Sequence, residues 1–314
     1  MSRTDHLNVD SDLTKFESIA CGGIAGLLSR FVISPLDVVK IRLQLDHGAI
    51  GSSQSRLYST IKDILTHEGV TAFWKGNVPA EMLYVCYGAT QFTSYKIATS
   101  MFKQNYNNGL SESWMLFLSG SLAGTTATVL TYPFDLLRTR LAAQGTKKNL
   151  KVYSSLRDVI KKTYLHEGLR GFFRGVVPSV CSVTPHNGIF FLAYELTRQF
   201  LHERPSLDLL PAPEASAGLV AGALSKTVVF PLDVVRKRLQ IQGPQLKHYD
   251  VPEYPTHIVK CLRQIVSTEG IRGLYKGYAV ALLKGAPASA VTIWAFERSV
   301  GSLRWLKKEG YVFY

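Results

Sequence analysis

A ten-residue element is written three times into this chain at equal spacing, and that repetition restricts the fold more than any other property of its 314 residues. Pro35 to Gln44 read PLDVVKIRLQ, Pro133 to Ala142 read PFDLLRTRLA and Pro231 to Gln240 read PLDVVRKRLQ, with successive prolines 98 residues apart. Each copy follows an apolar stretch carrying Gly-x-x-x-Gly, at Gly22 and Gly26, Gly120 and Gly124, Gly218 and Gly222. Each precedes a Glu-Gly pair and then an aromatic, a base and a glycine. These are Glu68-Gly69 with Trp74-Lys75-Gly76, Glu167-Gly168 with Phe173-Arg174-Gly175, and Glu269-Gly270 with Tyr275-Lys276-Gly277. Self-similarity at a fixed period means one supersecondary unit used repeatedly. The expected units cover 16–104, 113–202 and 212–306, after a tail at 1–15.

The stretch from Phe16 to about Gln44 is apolar and rich in small residues, long enough for a span of roughly 20 residues, and its Gly-x-x-x-Gly suits close approach of a second helix. Arg56 to His67 has helical spacing of apolar residues opposite charges; it is too short and charged to span, so it is expected along the membrane surface. A second span follows over Asn77–Phe102. Unit two repeats the plan with a span Trp114–Ala142, a surface helix Tyr153–His166 and a span Val177–Phe200. Unit three has Pro213–Gln240, Tyr254–Thr268 and Tyr278–Leu303. The expected fold is therefore an all-α membrane protein with six transmembrane helices in three homologous repeats and short surface helices. Six spans put both termini on one side, and the long basic segments within each unit lie on the other.

A net charge of +13 and a pI near 9.5 admit nucleic acid or an anionic membrane and anionic solutes as partners. Nucleic-acid binding would gather the bases on one exposed face; here they recur at helix ends and bends, between apolar runs. Cys21, Cys86, Cys181 and Cys261 have no metal or redox spacing and read as packed small residues; no metal and no cofactor are expected. The acidic start, with Asp5, Asp10, Asp12 and Glu17, is unlike an Arg-rich transit peptide.

Proline inside a helix removes a backbone hydrogen bond and kinks it, so Pro35, Pro133 and Pro231 bend three spans. An acid follows each proline by two residues and a base by five: Asp37 and Lys40, Asp135 and Arg138, Asp233 and Arg236. An acid and a base three apart could simply pair on one helix. Charges at membrane depth, however, normally face a bundle interior or a wet cavity with a partner, and three copies at three bends suggest a ring between helices that closes one end of a central path.

The triple Pro-x-Asp-x-x-Lys/Arg with Glu-Gly and aromatic-base-Gly resembles the mitochondrial carrier family, and the resemblance runs from residue 16 to 303. It implies threefold pseudo-symmetry, surface helices on the matrix side, alternating access, a monomeric exchanger of the inner membrane rather than an enzyme, and both termini toward the intermembrane space. It also implies ring pairs Asp37–Arg138, Asp135–Arg236 and Asp233–Lys40 as a matrix gate, with glutamine braces at Gln44 and Gln240 and none at Ala142. The family's cytoplasmic gate, aromatic-acid-x-x-base, is complete only at Tyr194-Glu195-x-x-Arg198. Lys96 stands where an acid belongs, and Glu297 lacks its base because Val300 takes that place, so a weak gate with a single Lys96–Glu297 contact is expected. At the aromatic-base-glycine sites Trp74-Lys75-Gly76, Phe173-Arg174-Gly175 and Tyr275-Lys276-Gly277, helix N-termini favour anions, and the resemblance implies cardiolipin; an aromatic and a base that merely anchor the helix are the competing reading.

Polar residues midway along the spans mark the solute. Arg30, Thr128 and Lys226 lie five residues before the kink prolines and Lys284 near the start of the last span. Arg30, Lys226 and Lys284, without nearby acids in sequence, suit an anion with phosphates. Tyr84, Tyr87 and Gln91 with Thr184, His186 and Asn187 suit an aromatic ring with an amino group. Within the family, GNVPAEMLYVCYGATQFTSY at 76–95, LLRTRLAAQG at 136–145 and KGAPASAVTIWAFE at 284–297 resemble the members that carry thiamine pyrophosphate. The resemblance implies exchange of that solute for a nucleotide or a thiamine phosphate. The residues alone leave open an adenine nucleotide, coenzyme A or a phosphosulfate nucleotide.

Overall fold

The computed structural model describes residues 14–46, 53–104, 112–145, 152–202, 213–243 and 252–308. The tail up to residue 13 and the middle of each linker, including most of the Gly- and Ser-rich loop after Asp46, lie outside the described residues.

Helix α1 (Lys15–Leu45) begins with a capping box, in which Thr14 Oγ1 accepts from Glu17 N at 3.4 Å and Thr14 N donates to Glu17 Oε2 at 2.9 Å. After it come α2 (Ser53–His67), a short 3₁₀ turn (Val70–Trp74) and α3 (Asn77–Gln104). The second unit gives α4 (Glu112–Ala143), α5 (Leu156–Gly171) and α6 (Val176–His202). The third gives α7 (Pro213–Gln240), α8 (Ile258–Glu269), a 3₁₀ turn (Ile271–Tyr275), α9 (Tyr278–Leu283) and α10 (Gly285–Lys308). Helix α5 is interrupted at Gly168, whose φ of 63° is non-helical, so its last turn corresponds to the 3₁₀ turns of the other two units.

Two details depart from the expected segmentation. The last span is broken at Lys284, because Pro287 has no N–H to give the carbonyl of Leu283. The Gly-x-x-x-Gly pairs are not uniform helix contacts. A Cβ on Gly26 would strike the Tyr84 ring at 2.6 Å and one on Gly124 would sit 3.0 Å from Val183, whereas Gly22, Gly120, Gly218 and Gly222 face open space.

Consecutive helices pack across the linkers, α3 on α4 and α6 on α7, and α10 returns to α1, which closes the bundle on itself. Lys307 and Glu17 pair at 2.8 Å across that seam. Five of the six spans are apolar and long enough to cross a membrane; α3, which carries Glu81, Gln91 and Lys96, has the more polar composition. Large apolar side chains point outward along the upper halves, with Ile19, Phe92 and Leu219 about 70% exposed, as a lipid-facing surface requires. The packed core lies at the other end, past the kinks. Val38, Ile41, Ile64, Phe73, Leu137, Val159 and Val280 form one cluster there, and Phe230, Val234, Cys261, Ile265 and Leu274 another. The surface helices join it through single apolar faces, such as Cys261 and Ile265 of α8, four apart and fully buried.

Candidate substrate cavity and its ionic floor

The three kinks bring the repeated acids together beneath a cavity of about 390 Å³. Asp37 Oδ2 lies 2.6 Å from Arg138 Nη2, and Asp135 Oδ2 lies 2.8 Å from Arg236 Nη2. The third expected link, Asp233 to Lys40, is not formed. Asp233 is taken by Lys226, one of the cations expected to be free for solute, and the Lys40 ammonium rests over the Phe230 ring at 5.5 Å. Lys226 reaches Asp233 because seven residues of helix place both side chains on one face, two turns apart.

The braces differ for the same reason. Gln240 bridges Asp135, Tyr132 and Thr139, donating to Asp135 Oδ2 at 2.5 Å and to Tyr132 Oη at 3.1 Å and accepting from Thr139 at 2.7 Å. Gln44 is fully buried with neither its amide nitrogen nor its oxygen bonded, since the link it would brace is absent. Lys237 went unnoticed in the sequence. Its ammonium donates to Asp135 at 2.9 and 3.1 Å, to Thr139 at 2.8 Å and to Gln240 at 3.0 Å. The only pointer was asymmetry between repeats, where Ile41, Thr139 and Lys237 occupy one position.

One cavity brings together Arg30, Tyr84, Tyr87, Gln91, Thr128, His186, Asn187 and Lys226 in its lining. Thr184 is exposed and not among its lining residues, because on α6 the cavity face is carried by Ser179, Ser182, Val183, His186 and Asn187. Nor is Lys284 in the lining: its ammonium is drawn down to Asp37 Oδ1 at 2.7 Å. Arg30 Nη1 is 3.3 Å from Asp37 Oδ2. The three cations, expected to be unpaired, are therefore all engaged with acids of the floor.

At the opposite end the expected contact between Lys96 and Glu297 is absent. Lys96 lies over the Phe92 ring at 5.4 Å, and Glu195 accepts from Gln199 at 3.2 Å on its own helix. Lys96, Glu195, Arg198 and Glu297 are all exposed.

Below the floor is a second belt that the sequence reading passed over. The arginine seven residues after each kink proline, Arg42, Arg140 or Arg238, is buried and reaches the glutamate of the Glu-Gly pair in its own unit. Arg42 Nη2 donates to Glu68 Oε2 at 2.8 Å, Arg140 Nη2 to Glu167 Oε2 at 2.9 Å and Arg238 Nη2 to Glu269 Oε2 at 2.8 Å. The same arginines cap the next unit. Arg42 Nε donates to the Ala142 carbonyl at 3.1 Å, Arg140 Nε to that of Gln240 at 3.1 Å and Arg238 Nε to that of Gln44 at 3.2 Å. Orphan carbonyls at three helix C-termini are thereby satisfied.

Lys75, Arg174 and Lys276, expected at lipid phosphate, bind the same glutamates: Lys75 meets Glu68, and the other two meet Glu167 and Glu269 at 2.8 Å. Their aromatic neighbours are also occupied. Trp74 Nε1 donates to the Phe31 carbonyl at 3.0 Å, Phe173 stacks on Tyr132 and Tyr275 on Phe230. Gly76 and Gly175 adopt φ of 82° and 81°, and a Cβ there would lie 2.7 Å from the Arg138 carbonyl and 3.1 Å from the Arg236 carbonyl. Gly277 repeats the conformation, with φ 80° and a Cβ position 3.2 Å from the Lys40 carbonyl. Each glycine thus lets one unit press against the backbone of the next at its ring base.

Burial pushes the Glu68 carboxyl up, but hydrogen bonds from Arg42 and Lys75 outweigh it and hold the group below the ordinary 4.5. The pair's contribution is complete above that unfolded value and is lost as pH falls through the lower folded one. The apparent unfolding temperature in detergent is expected to hold from pH 7 to 5 and to drop once the pH falls below 4.5. In Glu68→Gln the Glu68-dependent part of that drop is expected to vanish. Burial also raises the Tyr254 hydroxyl to about 12 and the Cys261 thiol to about 11, so both stay neutral.

A closed bundle of spans around a charged cavity, with one end shut by ion pairs, is the arrangement of a membrane transporter. A family model described as mitochondrial carrier protein matches residues 11–106, 110–205 and 209–305. The chain belongs to the mitochondrial carrier family, and is a multi-pass protein of the mitochondrial inner membrane with the six-helix, threefold pseudo-symmetric fold. It is 47% identical to the mitochondrial thiamine pyrophosphate carrier 1 of Emericella nidulans, covering 93% of each chain. It is 46% identical to the protein of that name from Yarrowia lipolytica over 98% of each, and 44% identical to that of Neurospora crassa over 91% of each.

Proposed function

We propose that this carrier imports thiamine pyrophosphate into the matrix by alternating access, in exchange for a nucleotide or a thiamine phosphate. Support comes from the names of relatives that match it nearly end to end, and one observation carries the site. The cavity lining joins the cations Arg30 and Lys226, each beside an acid of the ionic floor, to the polar side chains of Tyr84, Tyr87, Gln91 and Asn187. A diphosphate suits the cations and an aminopyrimidine suits the hydroxyls and amides. Its volume lies in the range of small-molecule sites, roughly 300–1,000 Å³. No bond of the solute is made or broken; binding acts by favouring one arrangement of the gates over another.

In this reading Asp37, Asp135 and Asp233 with Lys40, Arg138, Arg236, Gln44 and Gln240 form the matrix gate, and the units are 16–104, 113–202 and 212–306. Lys96, Glu195, Arg198 and Glu297 form the cytoplasmic gate, and both termini lie on that side, toward the intermembrane space. The protein works as a monomer, and the N-termini of α3, α6 and α9 after Gly76, Gly175 and Gly277 receive cardiolipin through backbone N–H groups. The bases beside them, already bound to glutamate, contribute less.

Proteoliposomes holding the purified protein test the reading. Labelled thiamine pyrophosphate is expected to enter vesicles preloaded with thiamine pyrophosphate or a nucleotide and not empty ones. Exchange of ADP or coenzyme A with no uptake of thiamine pyrophosphate would overturn the solute and leave the gates standing.

A further inference from the structure

The three junctions of the floor are not equally knit. Six residues past the kink prolines stand Ile41, Thr139 and Lys237, and nine residues past them Gln44, Ala142 and Gln240. Only α7 supplies both a base and an amide. Both reach across to α4, where the Lys237 ammonium donates to Asp135 at 2.9 and 3.1 Å and to Thr139 at 2.8 Å, and Gln240 donates to Asp135 Oδ2 at 2.5 Å. Arg236 is already on that carboxylate at 2.8 Å, so Asp135 holds two bases and an amide from one neighbouring helix.

Lys237, Thr139 and Gln240 are buried, and none of them lines the cavity. A cation so placed does not meet the solute. It sits in the last turn of α7, where helix carbonyls favour positive charge, which helps a second base to stand beside Arg236. We propose that Lys237 is an additional base of the matrix gate, a latch between α4 and α7 with no counterpart at the other two junctions. The role rests on the alternating-access reading, in which the floor must open toward the matrix, and is independent of which solute passes. For α4 and α7 to part, the bonds of Lys237 to Asp135 and Thr139 break together with those of Arg236 and Gln240. A charge-assisted hydrogen bond is roughly twice as strong as a neutral one, so the ammonium adds to this junction what isoleucine or threonine does not. Lys237→Met keeps the length of the side chain and leaves Asp135 paired with Arg236, so no carboxylate is stranded.

The experiment is maleimide labelling of the detergent-purified full chain carrying Ala142→Cys, followed cysteine by cysteine with peptide mass spectrometry. Ala142 is 1% exposed, in the core past the kinks and outside the cavity lining, so a thiol there reacts when the floor parts. Native Cys261, fully buried in the other core cluster, reports loosening of the fold as a whole. Where opening and closing are fast, the labelling rate follows the population of the open form. Lys237→Met and Lys237→Thr, the latter taking the residue of unit two, are each expected to raise labelling of the introduced thiol about tenfold, the factor of one hydrogen bond to a charged group. Cys261 is expected to stay as slow as in the parent. In an Asp135→Asn background, Lys237→Met is expected to add less than threefold, because residues that act through each other are not additive. An unchanged rate in both Lys237 variants would overturn the proposal. So would an equal rise at Cys261, the mark of general loosening, or a full tenfold addition over Asp135→Asn, which would put the action of Lys237 elsewhere. Labelling needs no solute, so its outcome is separate from that of the exchange assay. A latch found in a carrier that exchanges ADP and not thiamine pyrophosphate would uphold the gate and reject the named solute.

Discussion

Exchange of thiamine pyrophosphate is expected to fall about 10- to 100-fold in Lys226→Ala, with the protein still folded and inserted. Lys226 is one of two assigned cations in the cavity lining, and its side chain is 29% exposed, so truncation removes little packing. What it removes is a charge-assisted contact to phosphate, worth about 1.5–3 kcal/mol for a hydrogen bond to a charged group, which is about 10- to 100-fold in rate at roughly 1.4 kcal/mol per tenfold. Arg30→Ala is expected to act in the same direction through Asp37. The measurement is initial exchange rate in proteoliposomes, with the apparent unfolding temperature as the control. A Lys226→Ala rate within threefold of the parent would remove Lys226 from the site.

The largest loss of stability is expected at the lower belt, in Arg140→Met. Arg140 is fully buried, and its guanidinium serves Glu167, Thr163 and the carbonyls of Gln240 and Gln242 together. The Glu167 side chain is 1% exposed, so methionine would leave a carboxylate stripped of solvent with Arg174 as its remaining base. Breaking a buried pair from one side costs about 3–5 kcal/mol. Arg140→Met with Glu167→Leu is expected to recover much of that loss, since replacing both members with apolar groups can be nearly neutral. Apparent unfolding temperatures of the two variants in one detergent decide the matter: a single variant as stable as the parent would show that the belt contributes nothing.

Much of this was legible before any coordinates. Period and proline spacing placed the spans, because a helix of given apolar length and a kink at proline are local matters. The two ring links Asp37–Arg138 and Asp135–Arg236 follow from repetition around a common axis, and the family resemblance supplied their direction. What stayed hidden depends on which partner among several wins. Lys226 and Lys40 both compete for Asp233, and the chain holds nothing that ranks a base two turns along the same helix above one on a neighbouring helix. Arg42, Arg140 and Arg238 were in plain view within the repeated element, yet an arginine seven residues beyond a proline announces no partner until α2, α5 and α8 fold back. Thr184 was misplaced by a matter of helical phase: one residue beyond Val183 turns about 100° off the cavity face.

The arginine belt also bears on how such a molecule comes into being. Each arginine answers a glutamate in its own unit and a helix end in the following one, and the third unit answers the first. A nascent chain with two units complete has one such joint made and Arg140 without the carbonyls it caps; Arg238, supplied by the last helix-pair, is what closes the loop. Assembly is therefore cyclic and cooperative. Three copies of one modest unit become stable together because none can satisfy its own backbone alone.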